Sequence, residues 1–395
     1  ERARGTLRLD PGGSMSPKRP RKILVRGATV ITMDDTDRVL RADLAIEGQS
    51  VTRVAPKIVA RGFDDVIEAK GCVVIPGLVQ AHVHLCQTLF RAQADHMALL
   101  DWLADRVWPL EAALEAEDLR ASARLGIAEL LLSGTTSILD MGTVRHTEVL
   151  FQEAKRLGIR YGGGKCLMDA GRGFPSRLRD STDDAIAESV ELCERFHGTA
   201  KGRLRYAFAP RFVLSCTEEA LRRSVSEARS RGALLHSHAS ENAEEVERVR
   251  DRTGMGNVEY LHSIGFTGPD VILAHGVWLS PSERRLLRDT QTRIVHCPSA
   301  NLKLASGIAR LPELLRENIS VSLGADGAAC NNRLDVFGEM RLASLLHNPR
   351  EGPAAVPAAK ALRLATRDGA RALGLDDCGS IEVGKRADLV ILDLA

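Results

Sequence analysis

Two histidines separated by one residue, His82 and His84, follow an apolar run of the sequence. The run from Cys72 to Leu78 is rich in Val and Ile and too short for a typical helix, which predicts a buried β-strand. Side chains at positions i and i+2 of a strand point to the same face, so the two imidazoles can bind one ion together. The spacing therefore indicates a metal site. A His-x-His pair alone is weak evidence for one, so the interpretation depends on further ligands elsewhere in the chain.

Four later segments share one form, a short apolar run that stops at a polar side chain. They span residues 232–241, 271–277, 294–301 and 319–332, and their polar residues are mainly His, Glu, Asn and Asp. In a (β/α)8 barrel the carboxyl ends of the strands converge on one face. Polar residues at these strand ends would therefore meet at one point.

The pattern between residues 73 and 372 alternates between strands and amphipathic helices. Eight strands are predicted to begin near Val73, Thr135, Ile159, Leu204, Ala233, Val271, Arg293 and Ile319. Helices are predicted between them at 117–133, 147–157, 183–196, 217–231 and 280–289, and after the last strand at 335–346 and 358–372. Such alternation is typical of a barrel or a doubly wound sheet, and eight strands with polar ends favour the barrel.

The chain ends have a different pattern. Residues 22–69 alternate short β-rich runs with Gly and Asp turns, and residues 379–395 again resemble a strand. The predicted fold class is therefore α/β, with a (β/α)8 TIM-like barrel at 73–372 and a small β-sandwich domain built from both chain ends, 22–72 and 379–395. If that domain needs strands beyond Ala395, one sheet edge stays open. Residues 1–14 show no periodicity and enter no fold prediction.

Composition excludes several classes of function. Apolar residues make up 44% and charged residues 27% of the 395, which gives material for a core and no sign of disorder. A net charge of +2 provides no electrostatic signature for nucleic acid or an anionic membrane, so neither partner is expected. The eight cysteines contain no Cys-x-x-Cys pair and predict reduced thiols. We expect a cytoplasmic protein that acts on a small molecule and forms a homo-oligomer.

Several motifs together resemble the amidohydrolase superfamily. The matching segments are Pro76–His84, His238–Glu241, Ala274–Gly276, His296–Ile308, Gly324–Asn332 and Gly379–Leu389. Within the superfamily the chain is similar to deaminases of 5'-deoxyadenosine, methylthioadenosine and S-adenosylhomocysteine. The resemblance implies hydrolytic conversion of a 5'-modified adenosine to the inosine analogue and ammonia. Alternatives are a guanine-type or triazine-type amidohydrolase, and a non-catalytic barrel that would have lost metal ligands.

The resemblance also implies a metal centre. It assigns His82, His84, His238 and Asp326 as ligands of one divalent metal. Strand periodicity places His236 on the same face as His238 and does not choose between them. The choice of His238 rests on its position nearer the strand end.

The number and kind of metal follow from two further observations. Some superfamily members bridge two metals with a modified lysine at the end of the fourth strand, where this chain has Phe208-Ala-Pro-Arg211. The resemblance therefore implies a single metal. Zinc is the expected metal, although imidazole and carboxylate ligands also accept iron.

Three residues are expected to carry out the chemistry. Glu241 would transfer protons to the substrate ring and the leaving amine, and Asp326 would accept the proton of the attacking water. His275 would orient or polarise the nucleophile. As alternatives, Glu241 would be an acid near a helix start and His275 a buried, hydrogen-bonded core imidazole.

Substrate recognition rests on fewer signals. Glu111 matches the family acid that binds ribose hydroxyls, a role suited to a carboxylate acceptor. Equally, it fits a first-turn acid that the helix dipole stabilises. Arg211 stands where guanine deaminase has an arginine that faces the ring carbonyl. Arg177 and Lys165 are expected to form a cationic wall of the site.

Overall fold

The computed structural model describes residues 19–171 and 173–394, so residues 1–14 lie outside it. The strands of the described residues are β1 Lys22–Ile31, β2 Val39–Glu47, β3 Ser50–Ala55, β4 Asp65–Glu68, β5 Val73–Pro76, β6 Leu78–His84, β7 Thr135–Thr143, β8 Arg160–Leu167, β9 Leu204–Pro210, β10 Leu234–Ala239, β11 Val271–His275, β12 Arg293–His296, β13 Val321–Leu323, β14 Asp326–Gly327 and β15 Leu389–Leu392.

The helices of the same residues are α1 Leu99–Trp102, α2 Trp108–Ala113, α3 Ala116–Leu132, α4 Thr147–Leu157, α5 Thr182–Phe196, α6 Thr199–Gly202, α7 Glu218–Ser230, α8 Ala243–Thr253, α9 Asn257–Ser263, α10 Pro281–Thr290, α11 Pro298–Lys303, α12 Leu311–Arg316, α13 Ala328–Asn331, α14 Val336–Leu345, α15 Asn348–Glu351, α16 Ala358–Leu364 and α17 Arg367–Ala372. A π-helical turn, Leu103–Val107, joins α1 to α2. Within residues 19–171 and 173–394, no helix combines the length and apolar character that a membrane crossing requires.

The larger sheet is the predicted parallel barrel. Its strand order is β13-β12-β11-β10-β9-β8-β7-β6-β14. β13 and β14 belong to one short run that is interrupted at Gly324-Ala325, and they pair with β12 and β6, respectively. Residues 321–327 therefore act as the eighth strand and close the ring, which confirms the predicted fold class. The closure also places Asp326 beside Val83, next to both histidines of the His-x-His pair.

Most of the predicted barrel strands begin where the structure has them. Seven predicted starts lie within two residues of the observed strands, and the first lies five residues too early. Val73–Pro76 pairs with β1 and β15 in the smaller sheet, and the barrel begins after Gly77. The single helix predicted at 358–372 is two helices, because the backbone at Thr366 leaves the helical region with φ −129° and ψ −89°.

The smaller sheet is built from both ends of the chain, as predicted. Its order is β15-β5-β1-β2-β3, with β4 beside β1. β15 runs antiparallel to β5, so the last segment returns to the amino-terminal strands. These strands form one sheet among the described residues, and the β-sandwich is not confirmed. The domain limits 22–72, 73–372 and 379–395 stay a prediction.

Two glycines allow neighbouring barrel strands to approach closely. Gly142 in β7 has φ +77°, and a Cβ atom added to it would lie 1.7 Å from the carbonyl oxygen of Gly164. Gly158, at the end of α4, also has a positive φ of +92° but has nothing within 4 Å of the same position. The two sites therefore share a backbone preference and differ in packing.

Gly142→Ala should destabilise the protein more than Gly158→Ala. Each variant bears the left-handed backbone cost of about 1–2 kcal/mol, and Gly142→Ala adds a backbone clash worth about 1–3 kcal/mol more. Thermal denaturation of the two variants and the wild type measures the difference. Equal midpoints for the two variants would show that the β7–β8 approach is not a packing constraint.

Candidate active site

Polar side chains from four barrel strands meet at the carboxyl ends of those strands. His82 and His84 lie at the end of β6, His238 near the end of β10, and His275 ends β11. Asp326 begins β14. The backbone is left-handed at His275 (φ 78°) and Asp326 (φ 63°), a costly conformation for residues with a Cβ atom. Such strain persists where the surrounding structure enforces it, and it is concentrated at functional sites.

The structure brings together the four residues assigned as metal ligands. His82 Nε2 and His84 Nε2 lie 3.2 and 3.3 Å from Asp326 Oδ1. His84 Nε2 lies 3.1 Å from His238 Nε2. One ligand atom from each of the four residues lies within 4.8 Å of the others. The arrangement is thus a compact group of three imidazoles and one carboxylate.

A hydrogen bond from Nδ1 of His238 fixes which nitrogen of the ring faces this group. His238 Nδ1 lies 2.7 Å from the carbonyl oxygen of Arg211, and a carbonyl oxygen only accepts. Nδ1 therefore donates, and Nε2 of the neutral ring presents a lone pair to its neighbours. Nε2 of His82 is buried and has no hydrogen-bond partner.

The protonation states of these side chains favour a cation at the centre of the group. Burial lowers the pKa of His84 and His238 well below the ordinary value, so both rings are neutral. Burial alone would raise the pKa of Asp326, so this carboxylate stays ionised only with a positive charge beside it. A buried carboxylate and neutral imidazoles with lone pairs facing one another are the donor set of a divalent metal. The residues present therefore fit such an ion.

Glu241 and His275 lie beside the group. Glu241 Oε2 is 3.3 Å from His275 Nε2, and Ser306 donates to Glu241 Oε1 at 3.3 Å. Burial raises the pKa of Glu241 well above its ordinary value, and the nearby carboxylates of Asp326 and Glu245 raise it further. Glu241 therefore holds a proton more readily than an ordinary glutamate, as a proton donor must.

Asn301 was not assigned a role from the sequence, although it ends one of the polar-tipped segments. Its Oδ1 lies 2.9 Å from His275 Nδ1 and accepts a hydrogen bond from it. Nε2, on the opposite side of the ring, faces Glu241. Asn301 thus orients this ring. The only sequence signal was its place at the end of the 294–301 run.

A buried ion pair forms one side of the site. Arg211 Nη1 and Nη2 lie 2.6 and 3.2 Å from the two carboxylate oxygens of Glu111, and Gln87 donates to Glu111 Oε1 at 2.9 Å. Both members of the pair are buried. Arg211 lines the cavity beside the metal group, whereas Glu111 does not. Glu111 therefore holds Arg211, and Arg211 faces any bound molecule.

The other two predicted cations are placed differently. Arg177 pairs with Glu115 at 2.5 Å, is 42% exposed and does not line the cavity. Lys165 is buried and lies 2.8 Å from both Asp180 and Glu188. Its charge is thus neutralised by protein carboxylates. A direct substrate contact of Arg177 stays a prediction.

The cavity at this end of the barrel is small. Its volume is about 30 Å³, which is room for one or two water molecules. Polar walls come from the strand ends and from Arg211. Apolar walls come from Leu99, Trp102, Leu103, Phe212 and Leu304. The site therefore combines a group suited to a metal, an acid with a raised pKa and a small cavity with polar and apolar walls.

Known proteins are similar to this chain in sequence and in fold. A 5'-deoxyadenosine deaminase of Methanosarcina acetivorans is 37% identical over 375 residues, which cover 94% of this chain and 84% of that protein. A 5-methylthioadenosine/S-adenosylhomocysteine deaminase of Pelotomaculum thermopropionicum is 40% identical over 376 residues, with the same coverage.

Solved structures agree with these sequence relatives. An adenosine deaminase from Xanthomonas campestris with bound zinc superposes with a TM-score of 0.88 at 32% identity, covering 96% of this chain and 86% of that one. A triazine hydrolase from Arthrobacter aurescens gives a TM-score of 0.89 at 28% identity, covering 95% and 87%. Residues 73–395 match the amidohydrolase family. The chain therefore belongs to the amidohydrolase family.

Proposed function

We propose that the protein is a metal-dependent deaminase that hydrolyses the amino group of a 5'-modified adenosine. The products are the corresponding inosine and ammonia. The observation that carries this proposal is the convergence of His82, His84, His238 and Asp326 next to Glu241. The deaminase relatives, 37% and 40% identical over 94% of the chain, support 5'-deoxyadenosine, methylthioadenosine or S-adenosylhomocysteine as substrate.

Zinc is the proposed metal. Three imidazole nitrogens and one carboxylate oxygen suit it, and the related adenosine deaminase was solved with zinc. Iron is also compatible with these ligands. A bound divalent metal would lower the pKa of a water molecule and so supply hydroxide near neutral pH.

The residues around the metal group supply the proton transfers. Hydrolysis of an aromatic amine needs one proton on a ring nitrogen and another on the leaving amine. Glu241, whose pKa burial raises, donates the first from its carboxyl group to the ring nitrogen. Asp326 accepts a proton from the attacking water and passes it to the leaving amine, and Glu241 recovers a proton from the added hydroxyl group as the carbonyl forms. His275 Nε2, between the two carboxylates, orients that water.

Arg211 is the proposed contact between the protein and the substrate. Its guanidinium offers only donors, so it recognises an acceptor on the bound molecule. Glu111 acts through Arg211, since its carboxylate oxygens accept from Arg211 and Gln87. Arg177 is proposed as an outer contact for the 5' substituent, which requires its release from Glu115.

A nucleoside is larger than the cavity of about 30 Å³ beside the metal group. Leu99, Trp102 and Leu103 form the apolar wall, and they lie on α1 and the π-helical turn that follows it. π-Helical turns are rare and often mark functional positions. The proposed substrate therefore requires this segment to move outward before it binds.

A guanine-type or triazine-type substrate is the second candidate. Arg211 facing the cavity favours it, because a guanidinium pairs well with a ring carbonyl or ring nitrogen. A base or a triazine would also need less added space in this cavity than a nucleoside. The predicted homo-oligomer and cytoplasmic location are untested and stay predictions.

His84→Ala should remove the metal, because it deletes one of the converging nitrogens. We expect about one metal ion per wild-type chain and a small fraction of that in the variant. Elemental analysis of purified protein after dialysis measures both. His262→Ala is the matched control, since that imidazole is exposed and bonds only to Thr267. Full metal content in His84→Ala would contradict the proposed ligand set.

Ammonia release should be fastest with a 5'-modified adenosine. The assay compares 5'-deoxyadenosine, methylthioadenosine, S-adenosylhomocysteine, guanine and a triazine. Turnover of guanine or the triazine alone would replace the proposed substrate.

Glu241→Gln should keep its metal and lose about 100-fold to 10,000-fold in kcat, because the amide cannot donate the ring proton. Undiminished turnover by Glu241→Gln would remove its proton-transfer role.

Glu111→Gln should raise KM about tenfold or more while kcat changes less, because Arg211 loses the partner that orients it. Steady-state kinetics on the best substrate separates the two constants. Glu153→Gln is the matched control. Glu153 is also a buried acid with arginine partners, Arg120, Arg124 and Arg156, but it lies on α4 away from the cavity. An equal rise of KM in the control would mean that Glu111 contributes only to stability.

A further inference from the structure

His236 is a fully buried histidine, which the sequence predicts to be a packed imidazole or a support for a metal ligand. It lies on β10, two residues before His238, and both of its ring nitrogens have close polar neighbours. Nδ1 lies 3.2 Å from the carbonyl oxygen of Ile272, and Nε2 lies 2.8 Å from Nδ1 of His82. His236 is not one of the four residues that converge. Its only polar side-chain neighbour at hydrogen-bond distance, among the described residues, is the ring of His82.

The hydrogen-bond partners determine where the protons are. The carbonyl oxygen of Ile272 only accepts, so His236 Nδ1 carries a proton and donates it. Nε2 of the neutral His236 ring is then an acceptor. His82 Nδ1, 2.8 Å away, must therefore donate to it. This leaves His82 Nε2 without a proton, 3.2 Å from Asp326 Oδ1 and at the centre of the metal group.

The anchor of this chain of hydrogen bonds is part of the barrel itself. His236 and Ile272 are paired residues in the parallel ladder between β10 and β11. Their relative position is therefore set by the sheet and not by a mobile loop. A side chain at this position needs a donor at one end and an acceptor at the other on a rigid frame, and neutral imidazole meets that requirement.

We infer that His236 is a positioning residue for the metal centre. It fixes the tautomer and the orientation of His82, so that His82 Nε2 presents its lone pair to the ion before the ion binds. The inference rests on the proposed metal ligands and goes beyond them, because His236 itself contacts no metal. Partners that orient a metal-binding imidazole in this way usually affect metal affinity by about 10-fold to 100-fold.

Three variants isolate the hydrogen bond from the space that the ring fills. Gln can place an amide oxygen near the position of Nε2 and keep an acceptor for His82. Asn reaches only as far as Nδ1, so it keeps the bond to Ile272 and loses the one to His82. Met fills a similar volume and offers no strong acceptor. The variants are His236→Gln, His236→Asn and His236→Met.

Zinc affinity is the primary measurement. Apoprotein of each variant competes for zinc with a chromophoric chelator. We expect the dissociation constant to rise about 10-fold to 100-fold in His236→Asn and His236→Met and to stay within about threefold of wild type in His236→Gln. Wild-type affinity in both His236→Asn and His236→Met, or an equal loss in all three variants, would overturn the inference.

Thermal denaturation with and without zinc distinguishes positioning from a purely structural role. A positioning role predicts that zinc raises the midpoint less in His236→Asn than in wild type, whatever the midpoint of the apoprotein. A lower apoprotein midpoint with an unchanged rise on zinc addition would show that His236 only supports the core. Failure of wild-type protein to bind zinc would reject the metal centre itself, which separates that outcome from a failure of this inference.

Discussion

The site depends on unshared electron pairs that face one another in a buried space. Nε2 of His84 and His238 lie 3.1 Å apart, and the same His84 nitrogen lies 3.3 Å from a carboxylate oxygen of Asp326. Burial disfavours protonation of the rings, so hydrogen bonds among them cannot satisfy the whole group. A divalent cation removes the repulsion at once. The barrel enforces this proximity, because β14 closes the ring against β6 and places Asp326 beside the His-x-His pair.

Buried polar contacts away from the cavity hold this arrangement in place. Gln80 accepts from the backbone N–H of Ala325 and donates to the carbonyl oxygen of Leu334, which ties the strained turn before Asp326 to β6. Asp140 accepts from the N–H of Leu85 and from the hydroxyl of Tyr161, just after His84. Satisfied networks of this kind make a buried polar site rigid. The left-handed backbone at Asp326 is therefore supported by the hydrogen bond between Gln80 and the preceding residue, Ala325, and by the pairing of β14 with β6.

The sequence predicted the barrel well because its strands and helices have local periodicity. It failed where a contact distant in the chain decides the structure. Val73–Pro76 has the composition of a barrel strand, and only its pairing with β1 and β15 assigns it to the smaller sheet. Similarly, periodicity puts His236 and His238 on one face, and the contacts of His238 with His84 and of His236 with His82 separate their roles. The resemblance to a family brought the four converging residues together, whereas spacing alone supported only His82 and His84.

The Glu111–Arg211 pair shows why a matching residue type does not settle a role. Nothing near Glu111 in the sequence indicates that its carboxylate is bound by an arginine one hundred residues later. Burying this pair removes two charges from water, a cost that the bidentate geometry and the bond from Gln87 offset. The result is a fixed cation on the wall of the cavity that Glu241 and Asp326 also line. Leu99, Trp102 and Leu103 add apolar surface to the same cavity, where charges are screened less than in open water. Because these side chains belong to α1 and the π-helical turn after it, we expect that segment to control access to the site.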